Sequence, residues 1–564
     1  MPENPPSQAS LLLVVFLGGV STMSVEMLAS RLIAPFFGTS LLVWSLLLFS
    51  ILAALSVGYL RGGRRADRDP RPQPLARSLL IASVLLSIGP FLCRDWMLVS
   101  GSAGSIPLQG TGLFLTVLFI CFPVALLGGI GPFVIRLMAQ DPLHLGQGSG
   151  KILGLSTMGS ILGTYLPALV GIPFLGTLRS FLALAFLVGL ASAIATPPGG
   201  RRPALFLGMA LPLVLFLVLK PGLFHLTPIT TASEPLLQST LGVDLAFLKR
   251  TQQNVFEGES VYNTIQVRRV PTQDSNHPLY YRNMLVLNEG YAVHSIQVPK
   301  EAWCFPLVGS VWDYMGVLPA LSAPPGQELD VAIVGLAGGT VAREILELFR
   351  GIYPKINVSG AEIDPVIVDV ARKYFDLPPE VKAFAEDGRT FLRKAKGQYD
   401  LIVTDAYRQP YIPFHLTTLE YFTLVRSRLK PHGMCSINVG ATSPEADIVA
   451  KIRSTMQSVF DEVKILEVPR ATPLFTNFLI LGGCAPGVIK SPLDPRNAVA
   501  KKLRESFPRL PINDVFTVWH RGLTAAPKLD RSLVLTDDRA PVEFITDAMI
   551  LRTIPKLNIS EIQR

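Results

Sequence analysis

The sequence predicts a multi-pass α-helical membrane domain followed by a water-soluble domain built on a parallel, doubly wound α/β sheet. The mean hydropathy of the 564 residues is +0.40 and only 16% are charged, which is unusual for a soluble protein. Long uninterrupted apolar runs stop near residue 222. Beyond that point apolar and polar residues alternate in short segments, as in strands and helices that fold in water.

The first part of the chain contains about seven candidate membrane-spanning helices, because crossing the hydrocarbon core takes roughly 20 apolar residues. The third, sixth and seventh of these runs are short. Glu26 and Arg31 are ionisable residues in the first run, either functional or paired near a helix end. The runs are about Leu11–Ile33, Leu41–Leu60, Ser78–Cys93, Leu113–Leu137, Ile152–Phe174, Phe181–Ala195 and Ala204–Leu219.

Charge and cysteine usage argue against a nucleic-acid-binding protein, a zinc protein and a disulfide-rich protein. The net charge of +9 comes largely from arginines that flank apolar runs, which is the pattern of membrane orientation and not of a nucleic-acid-binding surface. The five cysteines are scattered without a metal-ligand spacing, so the sequence predicts neither a zinc site nor a disulfide framework.

The second part of the chain begins with a predicted β-hairpin and continues with strand–helix alternation. The hairpin strands are Ser260–Val270 and Tyr280–Leu287. Helices are predicted to begin at Val341 and Pro365, and repeated βα units of this kind predict a parallel sheet with its ligand site at the carboxyl ends of the strands. The strands are Asp330–Gly335, Ile356–Ile363, Val381–Ala385, Asp400–Thr404, Met434–Val439, Val463–Val468 and Phe478–Leu481.

Four of these strand ends carry residues suited to an adenosyl ligand. The first opens into the glycine-rich turn Gly335–Thr340, where backbone amides at a helix start can approach a ligand closely. The second ends in Glu362, the position at which an acid accepts hydrogen bonds from a ribose diol. Asp387 follows the third strand and suits an adenine amino group, and Asp405 follows the fourth and brings a carboxylate to the centre of the cleft.

The second part resembles the spermidine synthase family of polyamine aminopropyltransferases, and in particular its membrane-fused branch. The resemblance covers nearly the whole chain, since the first helix is similar through Glu26, Arg31, Pro35 and Gly38. The other matching stretches are Ser260–Tyr262, Leu285–Ser295, Gly335–Glu344, Glu362–Asp364, Asp387-Gly388, Asp405, Ile412–Thr418 and Leu535–Glu543.

The resemblance implies transfer of an aminopropyl group from decarboxylated S-adenosylmethionine to an amine, without a metal. Asp405 stands where the family holds its catalytic carboxylate. The residues expected to bind the donor are Gly335, Gly338, Gly339, Glu362, Asp387 and Gly388, and those expected to bind the amine substrate are Tyr291, His294, Tyr407 and Gln409. The fold it implies is Rossmann-like, as in class I methyltransferases and spermidine synthases.

The chain departs from the family at three positions. Gly338 replaces the aspartate that contacts the aminopropyl ammonium, His294 replaces a glutamine, and Tyr407–Pro410 replaces a loop that carries a second acid. Two alternatives therefore stay open: a methyltransferase that uses intact S-adenosylmethionine, and a non-catalytic nucleotide-binding regulator of a membrane transporter. The retained acids Glu362, Asp387 and Asp405 argue against the regulator.

The resulting organisation has five segments. We expect a transmembrane domain over residues 1–222, a linker over 223–258, a small β-rich subdomain over 259–320, a Rossmann-like adenosyl-binding domain over 321–490, and a C-terminal extension over 491–564 packed on it. The expected partners are the lipid bilayer and a small-molecule amine, with no nucleic acid; a homodimer is expected from the resemblance alone.

The expected location is the cell (inner) membrane, and two arguments on orientation disagree. The loop after the second apolar run carries six arginines, which the positive-inside rule assigns to the cytoplasm. Seven spans would then put the second half outside, whereas an adenosyl donor made in the cytoplasm favours the cytoplasmic side for it.

Overall fold

The computed structural model describes residues 6–37, 41–102, 106–138, 145–197, 203–218, 254–274, 277–288, 293–322, 328–408, 411–469 and 475–553. The chain forms two compact units. The first comprises residues 1–264 with 288–290, and the second comprises residues 265–287 with 291–564. Most of the expected linker, residues 223–253, lies outside the described part of the chain.

The first unit is helical, as its apolar runs predict. Among its described residues, six helical segments are long and apolar enough to cross a membrane, and the seventh predicted run forms the shorter apolar helix Leu205–Val218. Pro167–Gly171 and Ala204–Ala210 are π-helical. The α-helices are α1 (Gln8–Phe37), α2 (Leu41–Arg68), α3 (Pro72–Ser102), α4 (Ile106–Gly128), α5 (Ile130–Met138), α6 (Leu145–Leu166), α7 (Ile172–Leu175), α8 (Thr177–Ala195) and α9 (Leu211–Val218).

Small residues let α1 and α6 approach at backbone distance. A Cβ atom on Gly159 would lie 2.2 Å from the Phe16 carbonyl oxygen, and one on Gly163 would lie 2.1 Å from that of Val20. Any larger side chain at these positions would force the helices apart. Close packing of this kind is the usual means of helix association in lipid, where apolar burial gives no driving force.

Arg31 has a structural partner within the first unit. Its guanidinium donates hydrogen bonds to the carbonyl oxygens of Ser260 at 2.6 Å and Tyr262 at 3.0 Å. Strand β1 (Asn254–Glu259) precedes these residues, and its last residue accepts a hydrogen bond from the backbone N–H of Thr177 at 3.0 Å. Arg31 is therefore paired, through main-chain carbonyls and through an electrostatic interaction with Glu259.

The second unit begins with a small antiparallel sheet. Strand β2 (Thr264–Asp274) pairs with β3 (His277–Leu287), which confirms the predicted hairpin, and β3 pairs with β4 (Val293–Gln297). The short helices α10 (Val311–Gly316) and α11 (Pro319–Ser322) follow.

Among the described residues, the main sheet has eight strands in the order β12-β10-β11-β9-β8-β5-β6-β7. Its strands are β5 (Leu329–Val334), β6 (Ile356–Glu362), β7 (Lys382–Ala385), β8 (Tyr399–Thr404), β9 (Leu429–Ala441), β10 (Glu462–Glu467), β11 (Thr476–Gly483) and β12 (Leu523–Ala525). The helices are α12 (Thr340–Phe349), α13 (Pro365–Tyr374), α14 (Gly388–Lys394), α15 (Leu419–Arg428), α16 (Asp447–Gln457), α17 (Ala498–Ser506), α18 (Ile512–Gly522) and α19 (Val542–Thr553).

The prediction of a parallel sheet is confirmed for one half of the main sheet and wrong for the other. Strands β7, β6, β5, β8 and β9 are parallel, but β11 pairs antiparallel with β9, and β10 pairs antiparallel with both β11 and β12. The physical reason is the connection between β10 and β11, which spans only residues 468–475 and is too short for the crossover that parallel neighbours need. The parallel half of the sheet therefore carries the candidate site.

Candidate active site

Strand register brings the predicted residues to one edge of the sheet. Val334, the last residue of β5, pairs with Ala361 on one side and Thr404 on the other. Glu362 ends the neighbouring strand and pairs with Ala385 of β7. The glycine turn, Glu362, Asp387 and Asp405 therefore all follow carboxyl ends of adjacent parallel strands, where doubly wound proteins bind their ligands.

Gly335 lets two strand ends approach closely. Its φ is +91°, in the left-handed region that favours glycine. A Cβ atom here would lie 2.5 Å from the carbonyl oxygen of Asp405. The backbone N–H of Asp405 in turn donates to the carbonyl of Val334 at 2.8 Å. Gly335 is thus required for the position of Asp405.

Gly338 and Gly339 shape the start of α12. Gly339 has a φ of +80°, and Gly338 donates its N–H to Ser295 Oγ at 2.8 Å. A Cβ atom on Gly338 would lie 2.7 Å from Ser295 Cβ and 3.0 Å from the ring of Phe375. Both neighbours are buried, so this part of the turn is closed to a larger side chain.

Glu362 is buried and bound by main-chain donors. Its carboxylate accepts hydrogen bonds from the N–H of Ala337 at 2.9 Å and of Asp364 at 3.2 Å. Burial raises the pKa of Glu362 to about 7, and these hydrogen bonds partly offset the rise. Glu362 is therefore hydrogen-bonded directly to the glycine-rich turn.

Asp387 is the N-cap of α14 and is paired with a histidine. One carboxylate oxygen accepts from the N–H of Thr390 at 2.9 Å, and the other lies 2.9 Å from His415 Nε2. The hydrogen bond with His415 lowers the pKa of Asp387 to about 2. Gly388, the first residue of the helix, packs against Val334, whose Cγ1 atom a Cβ would approach to 2.3 Å.

Asp405 has the properties of a proton acceptor near neutral pH. Its carboxylate accepts hydrogen bonds from the indole N–H of Trp312 at 3.0 Å and from the side-chain amide of Asn438 at 2.9 Å. Burial raises the pKa of Asp405 to about 6, while both hydrogen bonds act to lower it. A carboxylate of this kind can orient a nucleophile and accept its proton.

Two of the four predicted amine-binding residues are described. The Tyr407 hydroxyl donates to the Asn438 carbonyl at 2.9 Å and accepts from the Gly440 N–H at 2.6 Å, which ties it to β9. His294 Nε2 is buried without a hydrogen-bond partner in the described part of the chain, and burial lowers the pKa of His294 to about 4. Tyr291 and Gln409 lie outside the described residues.

Sequence reasoning missed two direct partners of Asp405. Asn438 lies near the carboxyl end of β9, so the strand-end rule that found the acids could have found it. Trp312 lies on α10, 93 positions before Asp405, and no sequence pattern connects the two. Within the described ranges, no group of three or more histidine, cysteine, aspartate or glutamate residues could hold a metal ion.

Known proteins are similar to part of this chain. Residues 312–484 match the model of the spermine/spermidine synthase domain. The chain is 29% identical over 297 residues to a probable polyamine aminopropyl transferase of Bifidobacterium longum, covering 51% of this chain and 61% of that protein. It is 30% identical over 232 residues to a polyamine aminopropyltransferase of Lachnospira eligens, covering 39% of this chain and 71% of that protein.

A solved structure is also similar. The crystal structure of a probable spermidine synthase from Corynebacterium glutamicum matches 48% of this chain and 95% of that chain, with a TM-score of 0.35 and 18% sequence identity. The chain spans less than two thirds of the length of the first curated relatives, 61% in the Bifidobacterium protein.

Proposed function

The chain belongs to the spermine/spermidine synthase family, and from this premise we propose that it transfers an aminopropyl group from decarboxylated S-adenosylmethionine to an amine, with Asp405 as the base. The main support for the proposal is that the Asp405 carboxylate is held in place by hydrogen bonds and has a raised pKa. Trp312 and Asn438 fix its carboxylate at the carboxyl end of β8, and burial raises its pKa to about 6. The strand next to β8 ends in the glycine turn.

The proposed reaction is a single displacement. The amine nitrogen attacks the aminopropyl carbon bound to the sulfonium sulfur, the carbon–sulfur bond breaks, and its electron pair leaves on sulfur as a neutral thioether. Asp405 accepts the proton that the attacking amine loses. Because the sulfonium is already a good leaving group, holding the amine in line with the carbon supplies much of the rate.

The donor is proposed to bind across β5, β6 and β7. Glu362 would accept hydrogen bonds from the ribose diol and Asp387 from the adenine amino group. Ile363 directly follows Glu362 and is 45% exposed, which provides an apolar surface suited to a purine ring. Isothermal titration of the full-length chain with intact and decarboxylated S-adenosylmethionine tests this assignment: tighter binding of the decarboxylated donor is expected, and binding of neither would refute it.

Turnover should depend on pH through Asp405. A base must be deprotonated, so the rate is expected to fall as pH is lowered through about 6. Trp312→Phe removes a hydrogen bond that lowers the pKa of Asp405. The fall in rate at low pH should therefore occur at a higher pH in this variant. Rate profiles between pH 5 and 8 measure both effects. The 40% exposed Trp303, changed to phenylalanine, serves as the control and should leave the profile in place.

A second candidate is methyl transfer from intact S-adenosylmethionine. The observation that favours it is Gly338, where the family has an aspartate that contacts the aminopropyl ammonium. In this chain the surrounding space is filled by Ser295 and Phe375, which would lie 2.7 and 3.0 Å from a Cβ atom at position 338. The chain therefore has no room for that acid as folded, and recognition of the ammonium would need another group.

We further propose that the helices of the first unit are embedded in the cell membrane. Six described segments are long and apolar enough to cross one, and many of their apolar side chains are exposed, among them Phe49, Leu52 and Phe174 at 71%, 59% and 78%. Exposed apolar surface of this extent requires lipid or another apolar partner. The protein should stay in the membrane pellet after alkaline carbonate extraction and leave it only with detergent; release by carbonate alone would contradict embedding.

A further inference from the structure

We infer that Asp537 is a positioning residue for the donor side of the site, because it holds Arg389 and Thr418 and so keeps His415 against Asp387. The inference rests on the proposed function for the identity of the ligand. It gives a role to the C-terminal motif Leu535–Glu543, which the proposed chemistry leaves unused.

Asp537 joins two helices that start at the site. Its two carboxylate oxygens accept hydrogen bonds from the two terminal nitrogens of Arg389, each at 2.8 Å, which is the bidentate geometry of a strong arginine–carboxylate pair. Thr418 Oγ1 donates to the same carboxylate at 2.8 Å. Arg389 belongs to the first turn of α14, and Thr418 is the N-cap of α15. One carboxylate therefore fixes the distance between the starts of these helices.

The motif that carries Asp537 is itself held in place. The Leu535 carbonyl accepts from the Leu419 N–H at 2.8 Å, and the Leu535 N–H donates to Thr455 Oγ1 at 2.9 Å. The Asp537 N–H donates to Glu420 at 3.0 Å. Leu535 is buried, so the motif is anchored on α15 and α16 before its carboxylate reaches Arg389.

Arg389 also contacts His415, so its position affects that of His415. Besides its bonds to Asp537, its guanidinium donates to the backbone carbonyl of His415 at 3.3 Å. His415 Nε2 lies 2.9 Å from Asp387, whose other oxygen caps α14 through the Thr390 N–H. A carboxylate has about four lone-pair sites, so an Asp387 held by these two partners keeps fixed sites for a ligand.

Asp387, which is proposed to bind the donor, and Asp405, which is proposed to accept the proton, lie at different places along the sheet. Asp387 follows β7, Asp405 follows β8, and β5 and β6 lie between those strands. Loss of Asp537 should therefore disturb adenosyl binding and leave the proton acceptor in place. This expectation distinguishes a positioning role from a general loss of folding, which would lower both binding and turnover.

The test compares Asp537→Asn with Asp538→Asn in the full-length chain purified in detergent. Binding of 5′-methylthioadenosine is measured by calorimetry, and KM for the donor and kcat are measured at saturating amine. Asp537→Asn is expected to weaken adenosyl binding and raise the donor KM by roughly tenfold or more, with kcat changed by less than about threefold. Asp537→Glu, which keeps the charge, should recover part of the affinity.

The neighbouring Asp538 is exposed, and its substitution is the matched control, expected to behave like the wild type. Unchanged adenosyl affinity in Asp537→Asn, or an equal loss in Asp538→Asn, overturns the inference. His415→Gln provides a second route if Asp537→Asn does not fold, since it should weaken adenosyl binding with Arg389 and Asp537 still paired; wild-type affinity in this variant also overturns it. Failure of the wild type to bind 5′-methylthioadenosine refutes the proposed function instead.

Discussion

Asp405→Asn is expected to lower aminopropyl transfer by roughly 10²–10⁴-fold, the range that a positioned general base contributes. The amide keeps the size of the side chain, but it has one acceptor oxygen for the two donors Trp312 and Asn438, and it accepts no proton from the attacking amine. Donor affinity should change little, because Glu362 ends β6 and Asp387 follows β7, whereas Asp405 follows β8. Single-turnover rates and calorimetric donor affinities measure the two quantities separately.

The matched control for this substitution is Asp369→Asn. Asp369 is exposed on α13 and should tolerate the same change without loss of rate or affinity. A variant Asp405→Asn that turns over at the wild-type rate would show that another group accepts the proton. Loss of donor binding together with rate would show that Asp405 contributes to donor binding and not chiefly to proton transfer.

Gly335→Ala is expected to destabilise the second unit by about 2–4 kcal/mol and to abolish donor binding. The φ of +91° is strained for alanine, and the new methyl group would lie 2.5 Å from the Asp405 carbonyl oxygen. Relief of that contact requires the ends of β5 and β8 to separate, which moves Asp405 away from the glycine turn. Thermal unfolding followed by circular dichroism and calorimetric titration of the donor measure both consequences.

Gly397→Ala is the corresponding control. Gly397 has open space around its Cβ position, so its substitution should cost little stability and leave donor binding intact. A Gly335→Ala variant that melts like the wild type and binds donor normally would show that the close approach of the ends of β5 and β8 is not required.

The sequence was sufficient to predict the acids because one geometric rule covers them. Carboxyl ends of adjacent parallel strands meet at one edge, so Glu362, Asp387 and Asp405 could be expected to lie near each other from strand boundaries alone. Trp312 could not be found in this way, since its contact with Asp405 depends on how α10 packs against the sheet. Sequence spacing contains no information on that packing.

The direction of the last strands was predictable in principle and was missed. β11 is buried and largely apolar, as a strand with neighbours of either direction can be, so its hydrophobicity did not distinguish the two. The short connection over residues 468–475 was the usable signal, because it leaves no length for a crossover helix.

The hydrogen bonds that connect Asp387 with His415, Arg389 and Asp537 could not be predicted from the sequence, for another reason. His415 lies 28 positions from Asp387 along the chain, and Asp537 lies 148 positions from Arg389. Neither residue stands directly at the end of a strand of the parallel half, so the strand-end rule does not apply to them. Only the packing of the helices and the C-terminal motif brings these side chains together.

The central claim is that Asp405 assists displacement at the aminopropyl carbon of a decarboxylated donor. The most direct measurement is the identity of the sulfur product formed by the full-length protein when both donors and an amine are supplied. We expect 5′-methylthioadenosine, formed only when the decarboxylated donor and the amine are present together. Formation of S-adenosylhomocysteine and a methylated amine instead would contradict this account.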